Sequence, residues 1–212
     1  MRYLLDLLFP PRPDERLVRE DTPEDFLTHL SPVLVPETRP GTVALLPFSR
    51  PSVRGALHEA KYHGSEHAFS LLGAALAEYL ADIHSDAPLD EGFTRSITIV
   101  PVPLGQVRER ERGFNQVEEV ARRALRGLDP NEFVLNIDLL ERVKETQSQV
   151  SLERSRREAN MRGAFACRQD ADPTHLYIVL DDVVTTGATL QAALDALAAR
   201  GATRLLPLAL AH

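Results

Sequence analysis

The residues best suited to chemistry lie between Tyr177 and Thr189, in the string YIVLDDVVTTGAT. Two adjacent carboxylates, Asp181 and Asp182, follow an apolar run, and a short loop of threonine and glycine comes next. Such a pair can hold the two hydroxyls of a ribose, or the water shell of a Mg²⁺ ion. Hydroxyls and a glycine before a helix suit a phosphate, because free backbone N–H groups and the positive end of the helix dipole favour an anion there. The string therefore predicts a sugar-phosphate site.

The elements around this string must place it at the edge of a sheet. The run from Tyr177 to Leu180 lacks polar alternation, which is typical of a strand covered on both faces, and a helical apolar pattern follows from Thr189 to Ala199. Ligands of open α/β sheets bind beyond the carboxyl ends of the strands, where Asp181 and Asp182 fall. The simpler alternative is that the carboxylates end a strand and the threonines cap a helix. The order of apolar run, acid pair and loop favours the ligand site.

Two basic segments are candidates for binding a diphosphate or closing over it. The first, Arg108 to Gln116, follows a strand predicted from Ser96, and a strand that ends in a basic, glycine-containing turn can dock a diphosphate. The second, Lys144 to Gly163, is a long polar excursion of the kind that often forms a mobile lid. Each has an alternative of equal weight: an exposed ion-pair network for the first and an ordinary surface loop with a solvated helix for the second.

The remaining pattern alternates strands with helices and predicts an α/β fold, a mostly parallel twisted sheet flanked by helices. A helix is predicted from Ser52 and interrupted at Lys61–Gly64, and the clearest amphipathic helix runs from Ala68 to Ile83. The other predicted elements are strands at Val43–Phe48, Leu139–Val143, Ala164–Cys167 and Leu205–Leu210, and a helix at Val117–Leu125. The ligand crevice is expected among the loops that follow Val100, Val143 and Leu180.

The first 42 residues are predicted to be a proline-rich appendage, and residues 43–212 the folded domain. The appendage carries seven prolines, so long regular elements are not expected there apart from a short opening helix at Arg2–Leu8.

Composition limits the class of protein. The chain has 212 residues, 43% of them hydrophobic and 26% charged, as in a soluble globular protein. It has no apolar run of about 18 residues, and Asp6 interrupts the opening apolar residues too early for a secretory signal, so no membrane insertion and a cytoplasmic location are expected. The single Cys167 excludes an internal disulfide and a cysteine-based zinc site. Residues 95–168 carry 14 basic and 11 acidic side chains within a chain of net charge −7, so an anionic ligand is expected there.

Several of these stretches resemble known sequences. Every position of the string from Tyr177 to Thr189 matches the phosphoribosyl pyrophosphate (PRPP) motif of type I phosphoribosyltransferases. Further stretches resemble the ComF/GntX family, the competence-protein relatives within that superfamily: AKYHG at 60–64, VPVPL at 100–104, RERGFNQ at 110–116 and the run 139–165. The opening LLDLLFPPR resembles the start of family members that continue into a four-cysteine zinc module, but those cysteines are absent here.

The resemblance implies a type I phosphoribosyltransferase fold with PRPP as ligand and Mg²⁺ as cofactor. Asp181 and Asp182 would hold the ribose and, through water, the Mg²⁺, while Lys144 and the lid would close over the site. By the same resemblance, Asp181, Asp182 and Lys144 are the candidate catalytic residues. The PRPP-binding residues would be Asp181, Asp182, Val183, Val184, Thr185, Thr186, Gly187, Ala188 and Thr189, and the pyrophosphate would lie near Arg110, Arg112 and Gly113.

The same resemblance implies an unidentified nitrogenous acceptor and a link to DNA uptake or nucleotide metabolism. An alternative from another class is a non-catalytic competence adaptor that binds PRPP or a nucleotide and contacts a DNA-uptake helicase, other uptake proteins or single-stranded DNA.

Overall fold

The computed structural model describes residues 13–36, 38, 41–86, 96–144 and 161–212. Its described strands are β1 (Val33–Val35), β2 (Thr42–Leu46), β3 (Ile97–Pro101), β4 (Phe133–Leu135), β5 (Leu140–Arg142), β6 (Phe165–Cys167), β7 (Leu176–Val183) and β8 (Arg204–Ala211). Its described α-helices are α1 (Pro13–Glu20), α2 (Pro23–Leu27), α3 (Pro51–His63), α4 (Glu66–Asp86), α5 (Gln106–Arg112), α6 (Gln116–Ala124) and α7 (Ala188–Ala198).

The central sheet has six strands in the order β1-β2-β8-β7-β3-β4. All neighbouring pairs are parallel except β1 with β2. The register pairs Leu180 of β7 with Pro101 on one side and with Leu208 on the other, so β3, β7 and β8 end along the same edge. The predicted α/β fold with a mostly parallel sheet flanked by helices is confirmed.

Both faces of β7 are buried, which explains its unbroken apolar run. Ile178 and Leu180 belong to a core cluster shared with α3, α4 and α6, whereas Tyr177 and Val179 belong to a second cluster with α7, β5 and β6. Side chains alternate between the two faces of a strand. Asp182, two positions after Leu180, therefore faces α3, α4 and α6, whereas Asp181 faces α7, β5 and β6. This alternation sends Asp182 and Asp181 to opposite sides of the strand end.

The helix α4 is the most extended apolar element on the first face. Leu72, Leu76 and Leu80 recur every four residues and are fully buried, as the predicted amphipathic pattern requires. The preceding helix α3 ends at Gly64, whose φ of 57° is in the left-handed region. The predicted interruption at Lys61–Gly64 is therefore wrong for its first three residues, which complete the last turn of α3. Lys61 is thus held on a helix.

Two other predictions need correction. Residues 108–112, predicted as part of a basic turn, lie in α5, because arginine and glutamate favour helix and no glycine intervenes before Gly113, whose φ is 75°. The strands predicted at Leu139–Val143 and Ala164–Cys167 exist, but they pair with each other in a separate antiparallel sheet. Periodicity predicts a strand without naming its partner, so the placement of β5 beside the main sheet's crevice had to come from the structure.

The described part of the first 42 residues shares the core of the rest. Val18 of α1 and Phe26 of α2 are buried in the same cluster as α3 and α4, and Val35 of β1 pairs with Thr42 of β2. The boundary at residue 42 stays a prediction. The helix predicted at Arg2–Leu8 and most of the predicted lid, residues 145–160, lie outside the described residues. Among the helices that are described, none combines the length and apolarity needed to cross a bilayer.

Candidate functional site

The acid pair lies at the carboxyl end of β7, and the backbone orients both side chains. Oδ1 of Asp181 accepts a hydrogen bond of 2.8 Å from the N–H of Asp182, and Oδ1 of Asp182 accepts one of 2.8 Å from the N–H of Val183. Each carboxylate is thereby oriented by the backbone N–H of the residue that follows it. Both line a cleft of about 320 Å³, here called the main cleft.

Three separate elements meet at the second oxygen of Asp182. Oδ2 accepts hydrogen bonds from Nζ of Lys61, at 3.1 Å, and from Nε2 of Gln116, at 2.9 Å. Lys61 lies in the last turn of α3, and Gln116, which is buried, opens α6. Oε1 of Gln116 in turn accepts a hydrogen bond of 2.8 Å from Arg112. The carboxylate is therefore positioned by residues far apart in sequence.

The two carboxyl groups have opposite protonation behaviour. Burial, followed by the charge of Asp182, raises the pKa of Asp181 to about 7. Burial also acts to raise the pKa of Asp182, but the charge and hydrogen bond of Lys61, together with the hydrogen bonds from Val183 and Gln116, outweigh it, and the pKa lies below its usual range. Adjacent carboxyl groups with separated pKa values are common at functional sites.

Asp181→Asn should raise the melting temperature more at about pH 8 than at about pH 5. The folded protein holds a proton on Asp181 that the unfolded chain has already released, so the free energy of unfolding falls as the pH rises from about 4 through 7. Asparagine resembles the protonated acid and avoids this loss. Thermal unfolding of native and variant protein at both pH values measures the shift in melting temperature. Asp195→Asn, on the exposed side of α7, is the control. Equal shifts at both pH values for the Asp181 variant would contradict the raised pKa.

The threonine and glycine loop joins β7 to α7 as predicted. Gly187 precedes the first turn of α7 with a φ of 75°, and a Cβ added there would lie 2.8 Å from Cβ of Thr38. Thr38 is itself fixed, because its hydroxyl donates to the carbonyl of Val35 and accepts from the N–H of Thr42, both at 2.8 Å. Glycine is required here by conformation and by space.

Gly187→Ala should destabilise the protein by more than the roughly 1–2 kcal/mol that a left-handed conformation costs an L-residue. The added methyl group also meets Thr38, which cannot easily move. The free energy of unfolding from urea titration measures the effect. The control is Gly127→Ala, since a Cβ at Gly127 meets nothing within 4 Å and its φ is not positive. Equal costs for the two variants would show that the loop tolerates a side chain.

The main cleft carries an excess of positive charge. Its lining includes the cations Lys61, Arg108, Arg112 and Arg142 as well as the two aspartates and Thr189. Two of these guanidinium groups are steadied by rings: Arg112 lies over Tyr62 at 5.6 Å and Arg142 over Phe165 at 5.5 Å. Such a cleft attracts an anion whose other end makes hydrogen bonds with carboxylates.

The structure brings some of the predicted site residues together and leaves others apart. Asp181, Asp182, Val183, Thr189 and Arg112 line the main cleft. The other predicted residues do not line it: Val184, Thr185, Thr186, Gly187, Ala188, Arg110, Gly113 and Lys144. Because α5 is a helix, the residues at 108 and 112 share one face and Arg110 lies on another, exposed to solvent. The roles predicted for Arg110, Gly113 and Lys144 stay predictions.

The sequence predicted no individual site role for Lys61 or Arg142, and it included Arg108 and Gln116 only as the ends of the segment expected to dock a diphosphate. Lys61 and Gln116 lie in the stretches AKYHG and RERGFNQ, which carry part of the family resemblance. Arg142, which lines the main cleft, lies two residues before Lys144, the start of the predicted lid.

The donor set suits a Mg²⁺ ion held mainly through water and substrate. The described residues contain no cluster of three or more side chains of the kinds that coordinate metals. Asp181 and Asp182 are the carboxylates of the main cleft, and Mg²⁺ commonly uses one or two carboxylates together with water and phosphate oxygens. The residues present therefore fit a magnesium ion that keeps most of its water ligands.

Comparison with known proteins supports one part of the resemblance. No family model matches the chain. It is 39% identical over 95 residues to competence protein F of Haemophilus influenzae, covering 43% of this chain and 40% of that protein. This similarity, with those that follow, supports the assignment of the chain to a ComF-related family. The DNA utilization protein YhgH of Escherichia coli strain K12 is 32% identical over 141 residues, or 66% of this chain and 58% of that protein. That of Salmonella typhi is 33% identical over 121 residues, or 57% and 52%. The chain thus spans about half the length of these curated relatives.

Proposed function

We propose that this ComF-related chain binds Mg²⁺–PRPP in the main cleft and transfers its phosphoribosyl group to a nitrogenous acceptor, on a type I phosphoribosyltransferase fold. One observation carries the proposal. A single cleft is lined by the acid pair at the end of β7, by the first turn of α7, which follows Gly187, and by four cationic side chains. The acids suit a ribose, and the helix start and cations suit its two phosphate ends.

In this proposal, each part of PRPP contacts different residues. The ribose hydroxyls lie against Asp181 and Asp182, where they compete with Lys61 for Oδ2 of Asp182. The 5′-phosphate lies at the start of α7, within reach of the Thr189 hydroxyl and the positive end of the helix dipole. The pyrophosphate extends toward Arg108, Arg112 and Arg142, where the positive charge is concentrated.

The chemistry follows from this placement. When the bond between the anomeric carbon and pyrophosphate breaks, negative charge develops on the leaving oxygen, and preorganised cations nearby stabilise it. Arg112 is preorganised by its hydrogen bond to Gln116 and its position over Tyr62. The magnesium ion, when bound, would supply further charge stabilisation on the pyrophosphate oxygens. When the ribose hydroxyls replace Lys61 at Oδ2 of Asp182, the hydrogen bond from Gln116 holds the carboxylate in place.

The biological setting comes from the relatives, which are named competence protein F and DNA utilization protein. We propose that this chain acts in DNA uptake or in the metabolism of the nucleotides that uptake delivers. The same names favour a second candidate, a competence adaptor that binds PRPP or a nucleotide without turnover and contacts uptake proteins or single-stranded DNA.

Calorimetry with PRPP, with and without Mg²⁺, tests the binding, and pyrophosphate release with a panel of bases and amines tests the transfer. The proposed enzyme binds PRPP with Mg²⁺ and releases pyrophosphate with at least one acceptor. Binding without release across the panel favours the adaptor, which a pull-down of uptake proteins then examines. Absence of PRPP binding in the presence of Mg²⁺ overturns the transferase, and the adaptor that contacts uptake proteins or single-stranded DNA then replaces it.

A further inference from the structure

The ammonium group of Lys61 neutralises the carboxylate of Asp182. Nζ of Lys61 lies 3.1 Å from Oδ2 of Asp182, and the two side chains are 31% and 16% exposed, so water and salt screen this ion pair less than one on the open surface. We infer that Lys61 serves two partners in turn. Before a ligand binds, it disfavours a divalent cation at Asp182, and afterwards it neutralises the phosphate of the ligand. Only the identity of that ligand as PRPP rests on the proposed function.

Hydrogen-bond donors already use most of the capacity of the Asp182 carboxylate. Oδ1 accepts from the N–H of Val183, and Oδ2 accepts from Gln116 and Lys61. A carboxylate offers about four lone pairs, so these bonds occupy most of them. A metal ion that binds Oδ2 must displace a donor, and displacing Lys61 also removes the positive charge that repels the ion. Lys61 and a divalent cation therefore compete for Asp182.

The ammonium group can change partners while the backbone that carries it stays in place. Lys61 lies in the last turn of α3, which ends at Gly64, where the N–H of Gly64 donates to the carbonyl of Glu59. Lysine carries a compact charge on a flexible four-carbon stem, and it binds phosphate as a point charge. Arg112, in contrast, is held by its hydrogen bond to Gln116. The geometry therefore suits Lys61 for the exchange.

The second partner lies in the main cleft, which Lys61 lines together with Arg108, Arg112 and Arg142. A phosphate group drawn to these guanidinium groups also attracts the ammonium of Lys61. Once Lys61 has moved, Asp182 keeps its hydrogen bond from Gln116 but loses its neutralising cation, so it can hold a hydrated metal ion. Phosphate and metal should therefore each raise the affinity for the other, because coupling between two sites is reciprocal.

The test titrates two probes, Mn²⁺ and inorganic pyrophosphate, into the full chain and into Lys61→Gln. Mn²⁺ takes the same kinds of oxygen ligand as Mg²⁺, and electron paramagnetic resonance reports its free concentration. The affinity for Mn²⁺ alone should rise roughly 10- to 150-fold in the variant, the factor that corresponds to one charge-assisted hydrogen bond. The affinity for pyrophosphate without metal, measured by calorimetry, should fall by a similar factor. A site that was merely loosened would lose affinity for both probes.

Two further variants control for charge and for position. Lys61→Arg keeps the cation and should keep the Mn²⁺ affinity near its native value. Arg54→Gln removes a cation two turns earlier on α3 that is paired with Asp14 and does not line the main cleft, so it should change neither affinity. In Lys61→Gln, a fall of both affinities, or the failure of either to change in the expected direction, overturns the inference. Neither probe requires PRPP to bind, so calorimetry of the native chain with Mg²⁺–PRPP tests the proposed function separately.

Discussion

Replacing Asp182 with asparagine should weaken Mg²⁺–PRPP binding by roughly 10- to 150-fold. A lost charge-assisted hydrogen bond costs about 1.5–3 kcal/mol, and about 1.4 kcal/mol corresponds to a tenfold change in affinity. Asparagine keeps the size of the side chain, but its amide must also face Lys61 and Gln116, which both donate to Oδ2 of Asp182. The substitution therefore removes the charge meant for the ribose and the hydrated metal. Calorimetry on native and variant protein measures the change.

Melting temperature, recorded on the same samples, separates a binding role from a structural one. Asparagine keeps the size of the side chain and Asp182 lies next to the last residue of β7, so we expect the fold to remain intact. Asp195→Asn changes the same functional group on an exposed part of α7 and should leave PRPP affinity unaltered. If Asp182→Asn binds PRPP as tightly as native protein, Asp182 merely ends the strand, and the adaptor becomes the better hypothesis.

Phe26→Ala should lower the free energy of unfolding by about 3–5 kcal/mol, the cost of removing a large buried aromatic side chain. Phe26 is 0% exposed and contributes to the cluster that includes α3 and α4. Its ring also meets that of His29 edge-on at 5.8 Å, and Nε2 of His29 lies 2.9 Å from Oγ of Ser52 at the start of α3. Urea titration gives the free energy of unfolding.

This substitution also tests the predicted boundary at residue 42. If the preceding residues were a separate appendage, truncating Phe26 would leave the main unfolding transition unchanged. Leu17→Ala is the control, because Leu17 lies on α1 in the same region but is 45% exposed. A single transition shifted by Phe26→Ala, with little change for Leu17→Ala, would place α2 within the cooperative unit. A loss below about 1 kcal/mol for Phe26→Ala would instead favour an independent appendage.

Local patterns were sufficient to predict the centre of the site. An apolar strand, two carboxylates and a glycine-containing loop before a helix are contiguous in sequence, so their mutual geometry follows from strand and helix periods alone. The parallel sheet followed from the alternation of strands and helices, and α4 from its regular apolar spacing. These features depend on contacts between near neighbours in the chain.

Only the tertiary structure decided which distant residues complete the site. Lys61 and Gln116 reach Asp182 across 121 and 66 positions of sequence, and no local pattern specifies such pairings. The helix α5 selects Arg108 and Arg112 over Arg110, because residues four apart share a face. The separate β5–β6 sheet brings Arg142, rather than Lys144, to the main cleft. The sequence by itself determined where the two carboxylates and the glycine-containing loop lie, and packing between elements determined which cations meet them.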